Sequence, residues 1–191
     1  MPEGTPSPII TIRRLAPTDS ISELTGLLHR AYAKQVEMGL APLAGRQDDA
    51  TTLKRVFSGE CSVAVRHLLP GERQPGMSLQ PLVGTILFHE NEEAQGPPWF
   101  QNPFVASFSQ FAVDPNYQGH GIGQMLLETV ERRALEENAT ELGLSMAEPD
   151  QDLMRFYLRR GYRFIEHWQW PYTNYRSAIL SKTLSPEREQ A

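Results

Sequence analysis

The chain has 191 residues, 40% of them hydrophobic, and carries a formal net charge of −5. This length suits one domain with a full hydrophobic core, and the mild negative charge argues against a nucleic-acid partner. The single cysteine, Cys61, excludes an intrachain disulfide and a cysteine-based zinc site, and we expect it to be a small core residue. No apolar run approaches the roughly 20 residues that cross a bilayer, and the Pro-rich start lacks a signal-peptide pattern. We therefore expect a cytoplasmic protein with no membrane partner.

Taken in chain order, the sequence predicts a disordered tail at 1–8, a single domain at 9–184 and a loose tail at 185–191. Alternating β-branched and aromatic residues predict strands, and apolar residues three and four apart predict helices. The predicted strands are 9–15, 61–67, 82–89, 107–113, 140–146, 162–170 and 177–184. The predicted helices begin at 19 or 20, 48 or 49, 122 and 149 or 150, and they end at 39, 59, 138 and 161. In the strand at 162–170, one face is expected to carry Tyr162, Phe164, Trp168 and Trp170.

The most informative stretch is a glycine-rich loop between the strand at 107–113 and the helix at 122. Gly119, Gly121 and Gly123 surround the helix start, where the first amides lack partners and meet the positive end of the helix dipole. Because glycine lets backbone approach a ligand closely, the loop predicts a phosphate site, with a simple tight turn as the alternative. Neither the nucleoside-triphosphate P-loop nor the dinucleotide fingerprint matches this spacing.

Two motifs resemble those of the GNAT superfamily of N-acetyltransferases. Gln118-x-x-Gly121-x-Gly123, preceded by a strand and Asp-Pro, resembles its pyrophosphate-binding loop. The run Phe-Tyr-Leu-Arg-Arg-Gly-Tyr at 156–162 is similar to the Tyr-x-x-x-Gly-Phe/Tyr ending of a later helix in that family. The resemblance, which covers 9–184, implies the α/β (α+β) GNAT fold. This fold has a central mixed, largely antiparallel twisted sheet of six or seven strands, with splayed central strands and about four flanking helices.

The resemblance implies acetyl-CoA or coenzyme A as co-substrate and no metal, and no metal-ligand spacing is found in the sequence. In the family, the loop amides hold the diphosphate and the pantetheine arm pairs with strand backbone in the gap. His120 could add charge to this site or be an exposed loop residue. Asp150, where many relatives carry Asn, could simply cap its helix. The implied cofactor-binding residues are Phe111, Ala112, Val113, Gln118, Gly119, His120, Gly121, Ile122, Gly123 and Asp150.

The resemblance also implies a catalytic role for Tyr157, as the general acid that protonates the leaving thiolate. The alternative is a tyrosine that only packs. The general base is harder to assign, because some relatives carry Glu near the position of Ser107, and neither Ser109 nor Gln110 is a base. Glu90 is the first candidate for the general base. A chain of water molecules that carries the proton away is an alternative. The remaining candidates, each of which could equally be a solvated loop residue, are His89, Glu92 and Glu93.

The sequence gives the least information about the site that binds the acceptor. The candidate substrate-binding residues are Trp99, Phe100, Ser107 and Ser109. Trp168, Trp170, Tyr172 and Tyr175 either line the same pocket or pack the late strands. The acidic residues at 90–93 favour a cationic acceptor.

The function implied by the resemblance is that of an acyl-CoA-dependent N-acyltransferase, passing acetyl to a primary amine by direct attack in a ternary complex. The acceptor would be a polyamine-like or amino-acid-like molecule, an antibiotic, or a protein amino group. The alternatives are a non-catalytic acyl-CoA-binding regulatory module, and an acyltransferase that uses a hydroxyl acceptor or a longer acyl chain. The family resemblance is also compatible with a homodimer.

Overall fold

The computed structural model describes residues 9–69, 71, 72, 75, 78, 80–90 and 96–185. The tail predicted at 1–8, the tail predicted at 185–191 apart from its first residue, and the base candidates Glu92 and Glu93 lie outside the described residues. The strands are β1 (Ile9–Arg14), β2 (Glu60–His67), β3 (Leu82–His89), β4 (Val105–Val113), β5 (Glu141–Ala147), β6 (Arg163–Trp168) and β7 (Ser177–Thr183). The helices are α1 (Ile21–Glu37), α2 (Asp49–Val56), α3 (Ile122–Glu136) and α4 (Gln151–Leu158).

Side-chain caps explain where three of the helices begin. Ser20 accepts a hydrogen bond from the amide of Glu23 at the start of α1, and Asp48 accepts one from the amide of Thr51 at the start of α2. Asp150 does the same for α4. Each oxygen partners one of the first amides of its helix, which have no intrahelical acceptor. The start of α3 is different, as described below.

The strands form one sheet in the order β1-β2-β3-β4-β5-β7-β6. Only the β4–β5 pair is parallel, and the other five neighbouring pairs are antiparallel. Leu24 and Leu27 of α1 pack with Leu87 on one face, while Leu126 and Val130 of α3 pack in the core on the other face. The predicted fold class, a mixed and largely antiparallel sheet between helices, is confirmed.

The two central strands separate along their length. β4 and β5 pair only from Val105↔Glu141 to Phe108↔Leu144, although both strands continue beyond these pairs. A register shift in the β3–β4 ladder accompanies Gln110, which has a φ of 49°. A bulge of this kind bends the strand that carries it, so β4 leaves β5 at this point. The predicted splay is therefore present, and it opens a cleft in the middle of the sheet.

The four aromatic residues predicted for one face of the strand at 162–170 do not share a face, and β6 ends at Trp168, so Trp170 lies beyond it. The β6–β7 register shifts between Phe164 and Glu166, and an extra residue in one strand reverses which side chains face the core. Tyr162 accordingly packs in the cluster that contains Leu180, whereas Trp168 packs in the cluster that contains Ile179. Phe164, beside the bulge on the edge of the sheet, is 48% exposed. Sequence alternation alone carried no signal of this irregularity.

Gly143 of β5 offers a test of this packing. A Cβ at this position would lie 2.6 Å from Cε1 of the buried Phe100 ring, so we predict that Gly143→Ala lowers the free energy of unfolding by about 1–3 kcal/mol. Gly26→Ala in α1 is the matched control, because its Cβ would meet only the flexible end of Arg30. That change should stabilise the helix by up to about 1 kcal/mol. Urea unfolding measures both, and equal midpoints for Gly143→Ala and the parent protein would contradict the packing.

Candidate active site

The cleft between β4 and β5 has a volume of about 1150 Å³. Its walls come from the free parts of both strands, from α1, from the start of α3, from α4, and from the loop between β6 and β7. It is therefore one continuous passage from the start of α3 to the far side of the sheet. The predicted site residues that line it are Phe100, Ser107, Ser109, Phe111, Ala112, Val113, Gln118, Gly119, Gly121, Ile122, Gly123, Asp150 and Tyr157.

The loop before α3 presents bare backbone to this cleft. Gly119 and Gly121 have φ values of 81° and 79°, a left-handed conformation that glycine adopts without steric cost. Gly121 is the N-cap of α3 but offers no side-chain acceptor, and the first turn of the helix carries no acidic residue. No described residue accepts a hydrogen bond from the amides of residues 118–124. These amides and the positive end of the helix dipole therefore suit an anion such as a phosphate.

Two side chains of this loop are turned toward the loop itself. Gln118 donates from Nε2 to the carbonyl of Val113 at 3.3 Å. His120 donates from Nδ1 to the carbonyls of Tyr117 and Gln118, at 3.3 and 3.1 Å, and its side chain does not line the cleft. Both side chains therefore brace the loop. The backbone, rather than the imidazole, is what the loop offers to a ligand.

The strand backbone expected to pair with the pantetheine arm is partly engaged. The hydroxyl of Tyr32, on α1, donates to the carbonyl of Phe111 at 3.3 Å, and the carbonyl of Val113 receives the bond from Gln118. Each carbonyl has a second lone pair, so either can still accept a bond from a ligand amide. Nothing in the periodicity of α1 indicated that Tyr32 would reach β4.

Tyr157, the candidate general acid, lies on α4 with 3% of its surface exposed. Its ring packs among Phe108, Phe111, Phe156 and Tyr162, with centroids 5.2–6.3 Å away. Burial, reinforced by the neighbouring Tyr32, raises the pKa of the Tyr157 hydroxyl well above its usual value. Within the described residues the hydroxyl has no hydrogen-bond partner. It is a protonated donor at the wall of the cleft.

Asp150 has a visible structural role. Its Oδ1 caps α4 by accepting from the amide of Leu153 at 3.1 Å, and its Oδ2 accepts from Nε2 of Gln35, on α1, at 2.9 Å. The carboxylate is buried and also lines the cleft. It thus caps α4, as the helix-cap interpretation anticipated, and it also ties α1 to α4 across the site, which the sequence did not indicate.

Of the candidate bases, Glu90 is not placed at the cleft. Its side chain is 62% exposed, lies 3.9 Å from Arg133, and is absent from the lining. Trp99 is also outside the lining and packs with Trp168 beneath the sheet. His89, in contrast, lines the cleft. Glu90 was a candidate because it directly follows the end of β3 in the chain. Successive residues of an extended chain point to opposite faces, so His89 lines the cleft and Glu90 does not.

The far end of the cleft is aromatic. Trp170 donates from Nε1 to Oγ of Ser145 at 2.9 Å and stacks on Tyr172, with centroids 5.6 Å apart. Arg46 donates to the carbonyl of Tyr172 at 2.6 Å, which joins the loop after α1 to the loop after β6. Burial raises the pKa of Tyr175 in this region to about 12, so this hydroxyl is neutral at physiological pH. The lining here is thus mainly neutral, and Arg55 adds a positive charge.

Solved structures share this architecture. A GNAT-family acetyltransferase from Staphylococcus aureus has a TM-score of 0.64 and 17% identity, covering 93% of this chain and 100% of its own. The ribosomal-protein-S18-alanine N-acetyltransferase from Escherichia coli has a TM-score of 0.62 and 16% identity, with coverages of 96% and 99%. A GNAT-family acetyltransferase from Elizabethkingia anophelis with acetyl-CoA bound has a TM-score of 0.59 and 16% identity, with coverages of 92% and 98%. At these identities the likeness establishes an acetyltransferase-type fold.

Sequence comparison identifies the family itself. The model of the acetyltransferase (GNAT) family matches residues 57–162, which is more than half of the chain. The chain belongs to this family. No curated protein matches it significantly.

The described residues contain neither a membrane-spanning helix nor a cluster of metal ligands. None of the helices there is long and apolar enough to span a membrane. No group of three or more His, Cys, Asp and Glu side chains in that part of the chain is arranged to hold a metal ion.

Replacing Asp150 tests its connection between the helices. We predict that Asp150→Ala lowers the free energy of unfolding by about 1–2 kcal/mol, because a helix cap is lost and the buried amide of Gln35 loses its acceptor. Asp150→Asn keeps a capping oxygen and should lose less than half as much. Urea denaturation of the three proteins measures this, and an alanine variant as stable as the parent would contradict the connection.

Proposed function

We propose that this protein is an N-acetyltransferase that passes the acetyl group of acetyl-CoA to a primary amine, by direct attack within a ternary complex. The observation that carries this proposal is the row of unpartnered amides at 118–124 at one end of a cleft that continues between β4 and β5. Membership of the acetyltransferase family and a solved structural neighbour with acetyl-CoA bound support it.

The residues present fit coenzyme A. The amides at the start of α3 suit a diphosphate, since they combine several donors with the positive end of a helix dipole. An extended amide-containing chain such as pantetheine can occupy the gap between separated strands in the manner of an added strand. When bound there, acetyl-CoA supplies a thioester whose acyl carbon is open to attack and whose sulfur leaves as a thiolate.

Tyr157 fits the role of the acid that protonates this thiolate. Its raised pKa keeps the hydroxyl protonated, and a group that must donate a proton has to carry one. Its ring is held from several sides by other aromatic residues, so the hydroxyl is fixed in position. Positioning of this kind lowers the entropic cost of the proton transfer.

The amine acceptor would enter from the end of the cleft lined by aromatic residues. Small amino-acid-like or polyamine-like molecules, antibiotics and protein amino groups all remain within the proposal. The structural neighbour from Escherichia coli is named for a protein acceptor. The cationic preference expected from residues 90–93 gains no support from Glu90, which is directed to Arg133.

Tyr157→Phe is the variant that tests this function. In an amine panel with thiol release as the readout, we predict that the parent protein turns over acetyl-CoA. The variant should lose about 100-fold in the single-turnover rate, since general acid catalysis typically contributes that much or more. Acetyl-CoA affinity measured by calorimetry should change less than about twofold, because the ring packing is kept.

Tyr162→Phe is the matched control. It removes another buried hydroxyl, which contacts Glu131 at 3.4 Å and lies outside the cleft, so its rate should match the parent rate. A Tyr157→Phe variant with full single-turnover rate would refute the acid role. Acetyl-CoA binding without transfer to any amine would favour a binding module instead.

A further inference from the structure

His89 and Ser109 form a polar pair on the wall of the cleft. His89 is the last residue of β3, and its Nε2 lies 2.8 Å from Oγ of Ser109. Its Nδ1 lies 3.3 Å from the carbonyl oxygen of Ser58. Ser58, Ser109 and the imidazole all line the cleft. The imidazole is therefore held at both nitrogens at the wall of the cleft.

The hydrogen bonds determine which nitrogen carries the proton. A carbonyl oxygen can only accept, so Nδ1 donates to Ser58 and the neutral ring presents the Nε2 lone pair to the Ser109 hydroxyl. Ser58 is itself held, because its amide and its hydroxyl both donate to the carbonyl of Arg55, at 2.9 and 2.7 Å. A hydroxyl, an imidazole and an orienting acceptor in a row are the arrangement of an activated hydroxyl.

The His89–Ser109 pair lies at the point where β4 separates from β5. Ser109 is the first residue of β4 after Phe108↔Leu144, the last pair that joins β4 to β5. Its hydroxyl thus lies where the two strands part. His89 is the ladder partner of Ser107, near whose position some members of the family carry a glutamate. The imidazole therefore belongs to β3, the strand next to β4, and lies directly beside Ser107.

We propose that Ser109 and His89 form the proton-accepting relay for the acceptor amine, an inference that rests on the proposed N-acetyltransferase function. As the amine nitrogen bonds to the acyl carbon, its surplus proton passes to Oγ of Ser109, while the Ser109 proton passes to Nε2 of His89. The carbon–sulfur bond then breaks, the thiolate takes the proton of the Tyr157 hydroxyl, and the Tyr157 phenolate regains a proton from solvent in the cleft. The imidazolium returns its proton to solvent in the cleft. Ser109 is the catalytic residue of the pair, and His89 acts through it.

Arg55, Cys61 and Glu90 are titratable or charged residues on the segments that flank His89. Arg55 of α2 lines the same cleft and adds a positive charge to its wall. Cys61 of β2 lies on the same face of the sheet, and burial raises the pKa of its thiol, which keeps it neutral. Glu90 is turned toward Arg133. β4 contributes the hydroxyls of Ser107 and Ser109.

The test compares the parent protein with His89→Gln, Ser109→Ala and the control His167→Gln, which changes an exposed histidine paired with Glu148 outside the cleft. Single-turnover acetyl transfer to the best amine of the panel is followed from pH 5 to 9. We expect His89→Gln and Ser109→Ala to lose about 100-fold at pH 7, with acetyl-CoA affinity within about twofold by calorimetry. His167→Gln should behave as the parent protein does.

The pH profile distinguishes a relay from a structural role. An imidazole must be neutral to accept a proton, so the parent rate should fall as the pH drops through the range in which imidazoles gain charge. His89→Gln should lose that inflection, and its deficit should shrink at high pH. A His89→Gln variant with parental rate and profile would overturn the relay and leave the proposed function intact. Acetyl-CoA binding by the parent protein without transfer to any amine would overturn both.

Discussion

A buried hydrogen bond between two glutamines sets the geometry on which the site depends. Gln110 has a left-handed backbone conformation within β4 and is only 5% exposed, at a conformational cost of roughly 1–2 kcal/mol. Its side-chain oxygen accepts from Nε2 of Gln47 at 2.9 Å, and Gln47 is held in turn by Thr52 and Arg55. A satisfied buried network of this kind rigidifies the backbone that it contacts. The loop after α1 thereby stabilises the bulge that separates β4 from β5.

The separation of β4 from β5 determines which elements line the cleft. β4 leads directly into the loop that carries Gly119 and Gly121, so the end of the strand and the start of α3 lie at one mouth of the cleft. α4 closes the cleft from the β5 side and brings Tyr157 to its wall, with Asp150 joining that helix to α1. A thioester held at one end and an amine admitted at the other would meet where the strands diverge, beside Ser109.

Sequence patterns revealed the local parts of this arrangement and missed the long-range ones. The glycine loop and the ends of the helices follow from local backbone rules, so they could be predicted closely. The reach of Tyr32 to Phe111 and the contact of Gln47 with Gln110 join residues more than 60 positions apart, and no local pattern encodes such contacts. Glu90 was the first candidate for the general base because it follows the end of β3 in the chain. The alternation of side chains along the strand instead places the neighbouring His89 in the cleft. The placement of Tyr162 and Trp168 on opposite faces depends on a bulge that alternation cannot reveal.

The central claim is that the amides of residues 119–124 bind the diphosphate of coenzyme A. The most direct measurement is an amide ¹H–¹⁵N NMR titration of the protein with coenzyme A and, separately, with pantetheine, which lacks the diphosphate. We expect saturable shifts of the 119–124 resonances with coenzyme A, and shifts confined to β4 and β5 with pantetheine. Resonances at 119–124 that stay unchanged with saturating coenzyme A, or that move equally with pantetheine, would contradict the account.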